Sequence, residues 1–361
     1  MQKKMNRSME LKAMSEVLNR DFEYICNSNV DWNEYKGKTI LVTGATGLIG
    51  SLFIKSLLFV SAKKDLGIKL IAMVRNLEKA KQIFDESPDL KFCVHDFMDE
   101  GGISIEDKID YILHTAAVTT SKEMVARPVD NIKISLSGTF KMLDLAKEKN
   151  VSSMLYLSSM EAYGQLNVSD HLITEDELGK VDLSSVRSCY PEGKRMCECL
   201  CNSYASQYDL NVIIARLAQT FGPGISKNEN RVFAQFAKSA INGNDIILKT
   251  DGMSEGNYVY TADAITAILT LLLKGGKAQT YNVVNENNHM SIRDSANMVA
   301  TKIAQGKIKV VFDIPEDALS TGYAAPTKMH LSASKINSLG WKAEVSLEDM
   351  YRRTIEYLCE T

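Results

Sequence analysis

The chain has 361 residues, 45% hydrophobic and 24% charged, with a formal net charge of −3. That length supports one large domain or two moderate ones, and the near-neutral balance carries no electrostatic footprint for nucleic acid or an anionic membrane. The longest apolar stretch, "AITAILTLLL" (264–273), is the length of a core helix and too short to cross a bilayer.

Residues 1–36 are polar with scattered apolar positions and read as a helical extension. The opening "MQKKMNRSMELKAMSEVLNR" has basic residues but no apolar h-region or cleavage site, so no secretory signal is expected. "KTILVTGATGLIG" then runs from a short β-branched strand, Ile40 to Thr43, through a glycine loop into the helical spacing of "SLFIKSLLFV". Further strands are expected at 69–74, 91–96, 109–117, 153–159 and 211–218, with a helix over 131–150 and another starting at Tyr190. Strands alternating with helices at this pitch predict an α/β fold with a doubly wound parallel sheet. "NYVYTADAITAILTLLL" and "TYNVVN" read as a return to that sheet. The expected dinucleotide-binding domain is therefore 37–220 plus 257–285. A smaller C-terminal α/β substrate lobe is expected from 221–256 plus 286–361.

Gly44, Gly47 and Gly50 follow a strand and open a helix. Glycines there permit a tight turn and let backbone N–H groups reach a pyrophosphate at the helix N-terminus. Gly44, Thr46, Gly47, Leu48, Ile49 and Gly50 are thus candidate cofactor residues of a Rossmann fold. Where the second strand ends, an acid would hold a ribose 2′-hydroxyl, and an arginine would accommodate a 2′-phosphate. The strand ends "MVRN", so NAD or NADP is expected, with Arg75 leaning toward NADP. Asp96 is positioned to bond the adenine amine, with Phe97 beside it.

"SCYPEGK" places Tyr190 and Lys194 four residues apart on one helix face, and Pro191 marks the first helical turn. The dipole and the cation both favour phenolate, so Tyr190 is expected to titrate well below the roughly 10 of a free tyrosine. Ser158, Ser159 and Glu161 in "LSSMEAYG" lie where α/β sheets place ligands. Seven cysteines without a disulfide pattern suit a reducing, cytoplasmic setting. Cys197, Cys199 and Cys201 read as buried thiols, and no metal-ligand spacing is present. His114 reads as a packed, hydrogen-bonded histidine, and Lys122 and Glu123 as a solvated face.

"VTGATGLIG", "HTAA", "SSMEAYG", "YPEGK", "ARLAQTFGPG", "YVYTADA" and "SLGW" occur in this order over residues 38 to 345. That set resembles the extended short-chain dehydrogenase/reductases, more narrowly the NAD(P)-dependent nucleotide-sugar epimerases, dehydratases and decarboxylases. The resemblance implies that Tyr190 takes a proton from a sugar hydroxyl, usually O4, while hydride leaves the same carbon. Lys194 would hold the nicotinamide ribose and keep Tyr190 ionised, and Ser159 would bond the oxygen as it becomes a ketone. Ala116 and Ala117 would line the cofactor site, with Thr119 on the substrate just beyond. In 4,6-dehydratases an Asp-Glu pair follows the serine; here Met160 replaces the acid and Glu161 matches the glutamate. A lone glutamate there, "RSCYPEGKR" (187–195) and "NRVFAQF" (230–236) resemble UDP-glucuronate decarboxylases. The alternatives are a 4-epimerase, less closely a 4,6-dehydratase, and a dinucleotide-sensing protein without turnover. Three departures bear on the substrate. Glu255 and Gly256 stand where a phosphate-binding arginine is usual, which leaves anion binding to Arg231 or Lys227. Gln219 replaces an asparagine, and so does Ser135. The resemblance also implies a homodimer, with which the apolar positions Leu136, Phe140 and Leu143 are compatible, as they equally are with packing within the chain.

Overall fold

Seven parallel strands form the central sheet: β1 (Thr39–Thr43), β2 (Lys69–Val74), β3 (Leu90–Val94), β4 (Tyr111–His114), β5 (Ser153–Ser159), β6 (Val212–Leu217) and, late in the chain, Thr280–Val283. A computed structural model describes residues 15–117, 120–166, 171–314 and 327–361. The chain builds outward from β1 to β2 and β3, then crosses back to place β4, β5, β6 and Thr280–Val283 on the other side. That reversal beside β1 opens a crevice at the carboxyl ends of the strands, where open α/β sheets take their ligands.

Both faces of the sheet are covered, so its strands are apolar on both sides. Ile40 and Val42 face one layer while Leu41 faces the other, as the two-residue repeat of a strand requires. The first layer holds helix α1 (Glu16–Cys26) and helix α2 (Leu48–Lys64). The second holds, after the short helices α3 (Leu77–Ile83) and α4 (Ser121–Ala126), the long helices α5 (Pro128–Glu148) and α6 (Cys189–Tyr208). Two further helices, α7 (Val232–Asn242) and α8 (Thr261–Lys274), return to the first layer and its neighbouring lobe.

After β6 the chain leaves the large sheet and makes two small ones. β7 (Gln219–Phe221) runs parallel to Glu255–Tyr260, which pairs antiparallel with Asn285–Ser291. Ile246–Leu248 pairs with Val310–Phe312. Residues 257–260, grouped with the large sheet in the sequence analysis, therefore hydrogen-bond within the three-stranded sheet. Only α8 and Thr280–Val283 after them rejoin the main one. Phe221 of β7 anchors the small three-stranded sheet, stacked on Phe233 of α7 at 4.5 Å and against Tyr351 of the C-terminal helix at 5.0 Å.

Of residues 1–36, those described form α1 and a short turn, Trp32–Tyr35, both keyed into the core. Tyr24 donates to Asp263 at 2.6 Å, Tyr35 donates to the Leu269 carbonyl, and Tyr260 donates to Asp21 at 2.6 Å. Arg353 of the C-terminal helix Leu347–Glu360 lies 3.3 Å from Asp21. Burial nonetheless dominates at Asp21 and pushes its carboxyl up to about 6. An acid whose pKa is raised by folding stabilises the native state while protonated and loses that contribution as pH rises through the folded value. The stability difference between wild type and Asp21→Asn, from urea unfolding, is therefore expected to shift by up to about 3 kcal/mol between pH 4 and pH 7, the wild type weakening as pH rises.

Candidate active site

The glycine loop leaves β1 in a conformation that only glycine adopts without strain. Gly44 has φ +61°, and a Cβ there would meet Thr115 Oγ1 at 2.5 Å. A Cβ on Gly50 would meet the Gly44 carbonyl oxygen at 2.5 Å, so the first turn of α2 packs directly on the loop. Gly47 caps α2 with no side chain, which leaves the N–H groups of Leu48, Ile49 and Gly50 without an intrahelical partner. A long helix with a bare N-terminus at the sheet crevice fits a dinucleotide pyrophosphate. Thr46, Leu48 and Ile49 are half-buried around it. Ala116 and Ala117 are half-buried on the facing loop after β4, and Thr119 lies outside the described residues. Arg75 is exposed directly after β2. Asp96 is half-buried after β3, its Oδ1 accepting from the Met98 N–H at 2.9 Å. Phe97 departs from expectation: its ring is buried against His114 and the Cα of Gly138, so only its backbone remains to face a cofactor.

One buried imidazole holds these parts in register. His114 Nδ1 lies 2.7 Å from Thr43 Oγ1, whose oxygen already accepts from the Thr115 and Ala116 N–H groups. The Thr43 hydroxyl proton therefore goes to Nδ1, and Nε2–H points to Thr139 Oγ1 on α5 at 3.3 Å. Thr139 donates to the Ser135 carbonyl, as does Cys197 of α6. Burial pushes His114 down to about 3, so the ring is neutral and its tautomer fixed.

Ser159 ends β5, and its Oγ accepts from the Glu161 N–H at 3.2 Å to start the turn Met160–Tyr163. Tyr190 and Lys194 are both buried in the first turns of α6. Lys194 Nζ donates to the Leu157 carbonyl at 2.7 Å and sits 4.8 Å from the Tyr156 ring centroid and 5.8 Å from that of Tyr190. Burial lowers its ammonium to about 8.

Tyr190 corrects the sequence expectation. Its phenol is pushed up to about 12, first by burial and then by the negative charge of Glu161. Ser159, whose hydroxyl donates to the ionised oxygen, and the cations Arg187 and Arg231 oppose the rise without reversing it. Desolvation by tertiary packing outweighs a helix-end dipole, whose effect is confined to about 0.3–1 kcal/mol at exposed ends. The field of Arg231 also shows that the substrate lobe brings this residue toward the phenol. Arg231 is exposed at the start of α7 and paired with Glu229 at 2.7 Å. Gln219 is exposed at the start of β7.

Sequence reasoning gave two groups no role. Arg187 Nη2 donates to both oxygens of Glu161, at 2.9 and 2.7 Å, and its guanidinium carbon lies 5.5 Å from the Tyr190 ring centroid. Behind Ser159, Ser158 donates to buried Glu198, which is gripped by Arg216 through Nε (3.1 Å) and Nη2 (2.8 Å). An arginine inside the apolar run "VIIARL" is a readable signal of such a pair, because a buried charge requires a partner. Cys197 and Cys201 are buried as expected, whereas Cys199 is exposed on the opposite side of α6. Leu143 packs in the interior, leaving Phe140 exposed and Leu136 half-buried. Among the described residues no group of histidines, cysteines and acids is arranged to hold a metal ion, and no helix is long and apolar enough to cross a membrane.

A glycine loop before a bare helix end, with a serine, a tyrosine and a lysine at the same crevice, is a redox arrangement. A model of the NAD dependent epimerase/dehydratase family matches residues 40–284. The chain belongs to that family of enzymes.

It is similar to UDP-glucuronic acid decarboxylase 1 of Xenopus tropicalis, 27% identical over 330 residues, 90% of this chain and 73% of the relative. Similarity to dTDP-D-glucose 4,6-dehydratase of Mus musculus is 26% over 330 residues, 89% of this chain and 88% of the relative. In fold it matches dTDP-glucose 4,6-dehydratase of Bacillus anthracis, solved in complex with NAD, with a TM-score of 0.71 and 20% identity over 90% of this chain and 97% of the other.

Replacing Tyr190 by Phe is expected to lower turnover of any accepted sugar nucleotide by about 10²–10⁴-fold, the usual worth of a positioned acid–base group. Dinucleotide affinity, measured by fluorescence titration, should change little, because the loop at Gly44 and the end of α2 are untouched.

Proposed function

We propose that this enzyme oxidises a nucleotide sugar at C4 and decarboxylates a UDP-uronic acid through the 4-keto intermediate. The observation that carries the reading is the convergence of Ser159, Tyr190 and Lys194 beside a single carboxylate, Glu161, with Met160 in the place of a second acid. A bound dinucleotide supplies the hydride acceptor and returns the hydride at the end of the cycle. Tyr190 takes the proton from the C4 hydroxyl, and Lys194, pinned on the Leu157 carbonyl, offers its charge beneath the phenol. Ser159 donates to the same oxygen as it becomes a ketone. That ketone is β to the carboxylate on C5. When the C5–C6 bond breaks and CO2 leaves, the electron pair passes onto the C4 oxygen as an enolate. Ser159 and protonated Tyr190 stabilise this oxyanion until C5 is reprotonated. Met160 carries no proton to give a departing C6 hydroxyl, which disfavours a 4,6-dehydratase.

A 4-epimerase is the second reading. It is favoured by the pairing of both Glu161 oxygens with Arg187, because inversion at C4 needs no free carboxylate. Incubation with UDP-glucuronate and either NAD or NADP, followed by mass spectrometry and NMR, separates the two. Decarboxylation gives CO2 and a UDP-pentose; an inverted sugar of unchanged mass would replace this reading by the epimerase.

We also infer that exposed Arg75 accommodates a 2′-phosphate, so that NADP binds more tightly than NAD. Arg75→Gln is expected to weaken NADP by about tenfold or more and to leave NAD within about twofold, measured by titration. The exposed apolar residues Val129 and Phe140 on α5 and Met196 on α6 support a homodimer through these helices.

A further inference from the structure

Arg187 has an unusual donor inventory for a residue beside a catalytic tyrosine. Its Nη2 is committed to Glu161. Its Nη1 is buried and has no hydrogen-bond partner. The guanidinium is held by the turn Val186–Ser188 at the very start of α6, 5.5 Å from the centre of the Tyr190 ring. A guanidinium presents its N–H groups as a planar fork, and the fork is matched by the two oxygens of a carboxylate. One side of this fork is filled from within the chain. The other is not, and buried polar groups in native proteins are ordinarily paired.

The guanidinium lies beside the ring of the phenol that takes the C4 proton, so an acceptor that a bound sugar brings to Nη1 would be a substituent close to C4. A neutral hydroxymethyl group would offer the fork one oxygen without charge; a C6 carboxylate offers two with a full negative charge. Glu161 cannot itself recognise an anion. What it does is hold the guanidinium in place through Nη2.

We propose that Arg187 is the specificity-determining residue for the substrate, its free Nη1 receiving the C6 carboxylate of a uronic acid while Nη2 stays on Glu161. This rests on the decarboxylase reading for its reaction, but the recognition is separable from the turnover. It assigns selectivity for anionic over neutral hexoses to the tyrosine helix rather than to the substrate lobe. It also explains why the carboxylate after Ser159 is useful even while fully paired.

The test is calorimetric binding of UDP-glucuronate and UDP-glucose to the dinucleotide-loaded protein, with release of labelled CO2 measured in parallel. Wild type is expected to prefer the uronate by about tenfold or more, and Arg187→Gln to abolish that preference while UDP-glucose affinity stays within about threefold. Glu161→Gln should retain or strengthen the preference, because the cation remains and a neighbouring negative charge is removed. The double variant R187Q/E161Q separates loss of the cation from exposure of Glu161, and should show no preference. If R187Q still favours the uronate, or wild type never does, the assignment to Arg187 is overturned, whatever the CO2 measurement shows. A preference that depends on Arg187 but comes with no CO2 overturns the decarboxylation and leaves the recognition standing.

Discussion

The site depends on a neutral imidazole sealed at the end of β4. His114 receives a proton from Thr43 and gives one to Thr139, and through these two hydroxyls it joins four elements. Thr43 closes β1 and accepts two N–H groups of the loop after β4. Thr139 and the Ser135 carbonyl join α5 to Cys197 of α6, the helix that carries Tyr190 and Lys194. The glycine loop, the facing loop and the catalytic helix are thus referred to one ring. A charged imidazole would serve badly here, since it has two donors and Thr43 would then lose its acceptor. Burial against Phe97 and Tyr156 keeps the ring neutral and preserves the chain of bonds.

The same desolvation acts on Tyr190 and Lys194. Burial raises the Tyr190 phenol and lowers the Lys194 ammonium, because in each case it disfavours the charged form. Removing water from each favours phenol over phenolate and amine over ammonium. The surroundings that oppose this are specific: the Leu157 carbonyl for Lys194, and Ser159 with two arginines for Tyr190. Ser159 and the two arginines limit the rise of the Tyr190 phenol without reversing it, and its position on the helix does not set it. Further donors or positive charge at the phenol oxygen would shift the balance toward phenolate, in the direction a reacting sugar hydroxyl requires.

Much of this was legible from residue order. Apolar runs of four to nine residues between turn residues marked β1 to β6 to within a few residues, because strands buried on both faces cannot hide polar positions. Tyr190, Lys194 and Ser159 were legible because their spacing and place after a strand are local properties. What escaped was tertiary in origin. The direction of the Tyr190 shift depends on how many atoms cover it. The burial of Phe97 depends on Gly138, more than forty residues away, leaving room for its ring. Residues 257–260 were grouped with the large sheet's domain, but local sequence does not say which sheet a segment joins. The grip of Arg187 on Glu161 spans 26 residues of chain and has no periodic signature at all.

The distribution of polar groups separates two tasks that the chemistry also separates. The redox core is interior: Lys194 is bound to a strand carbonyl, His114 is sealed, and Glu198 and Arg216 form a buried pair behind Ser158. Breaking any of these strands a buried polar group, a cost of several kcal/mol for the ion pair, on the order of 3–5. The polar groups nearer the surface are different in kind. Glu161 and Arg187 are each about a third exposed on short turns, and Gln219 and Arg231 stand at element starts on the surface of the crevice. Substituting them disturbs little packing, so their identity is free to follow the substrate. On the function proposed above, such an arrangement would keep one oxidation at C4 and change the fate of the ketone by altering a few half-exposed side chains. Of the departures noted in the sequence, Met160 is half-buried and Gln219 exposed, whereas Gly256 and Ser135 are buried.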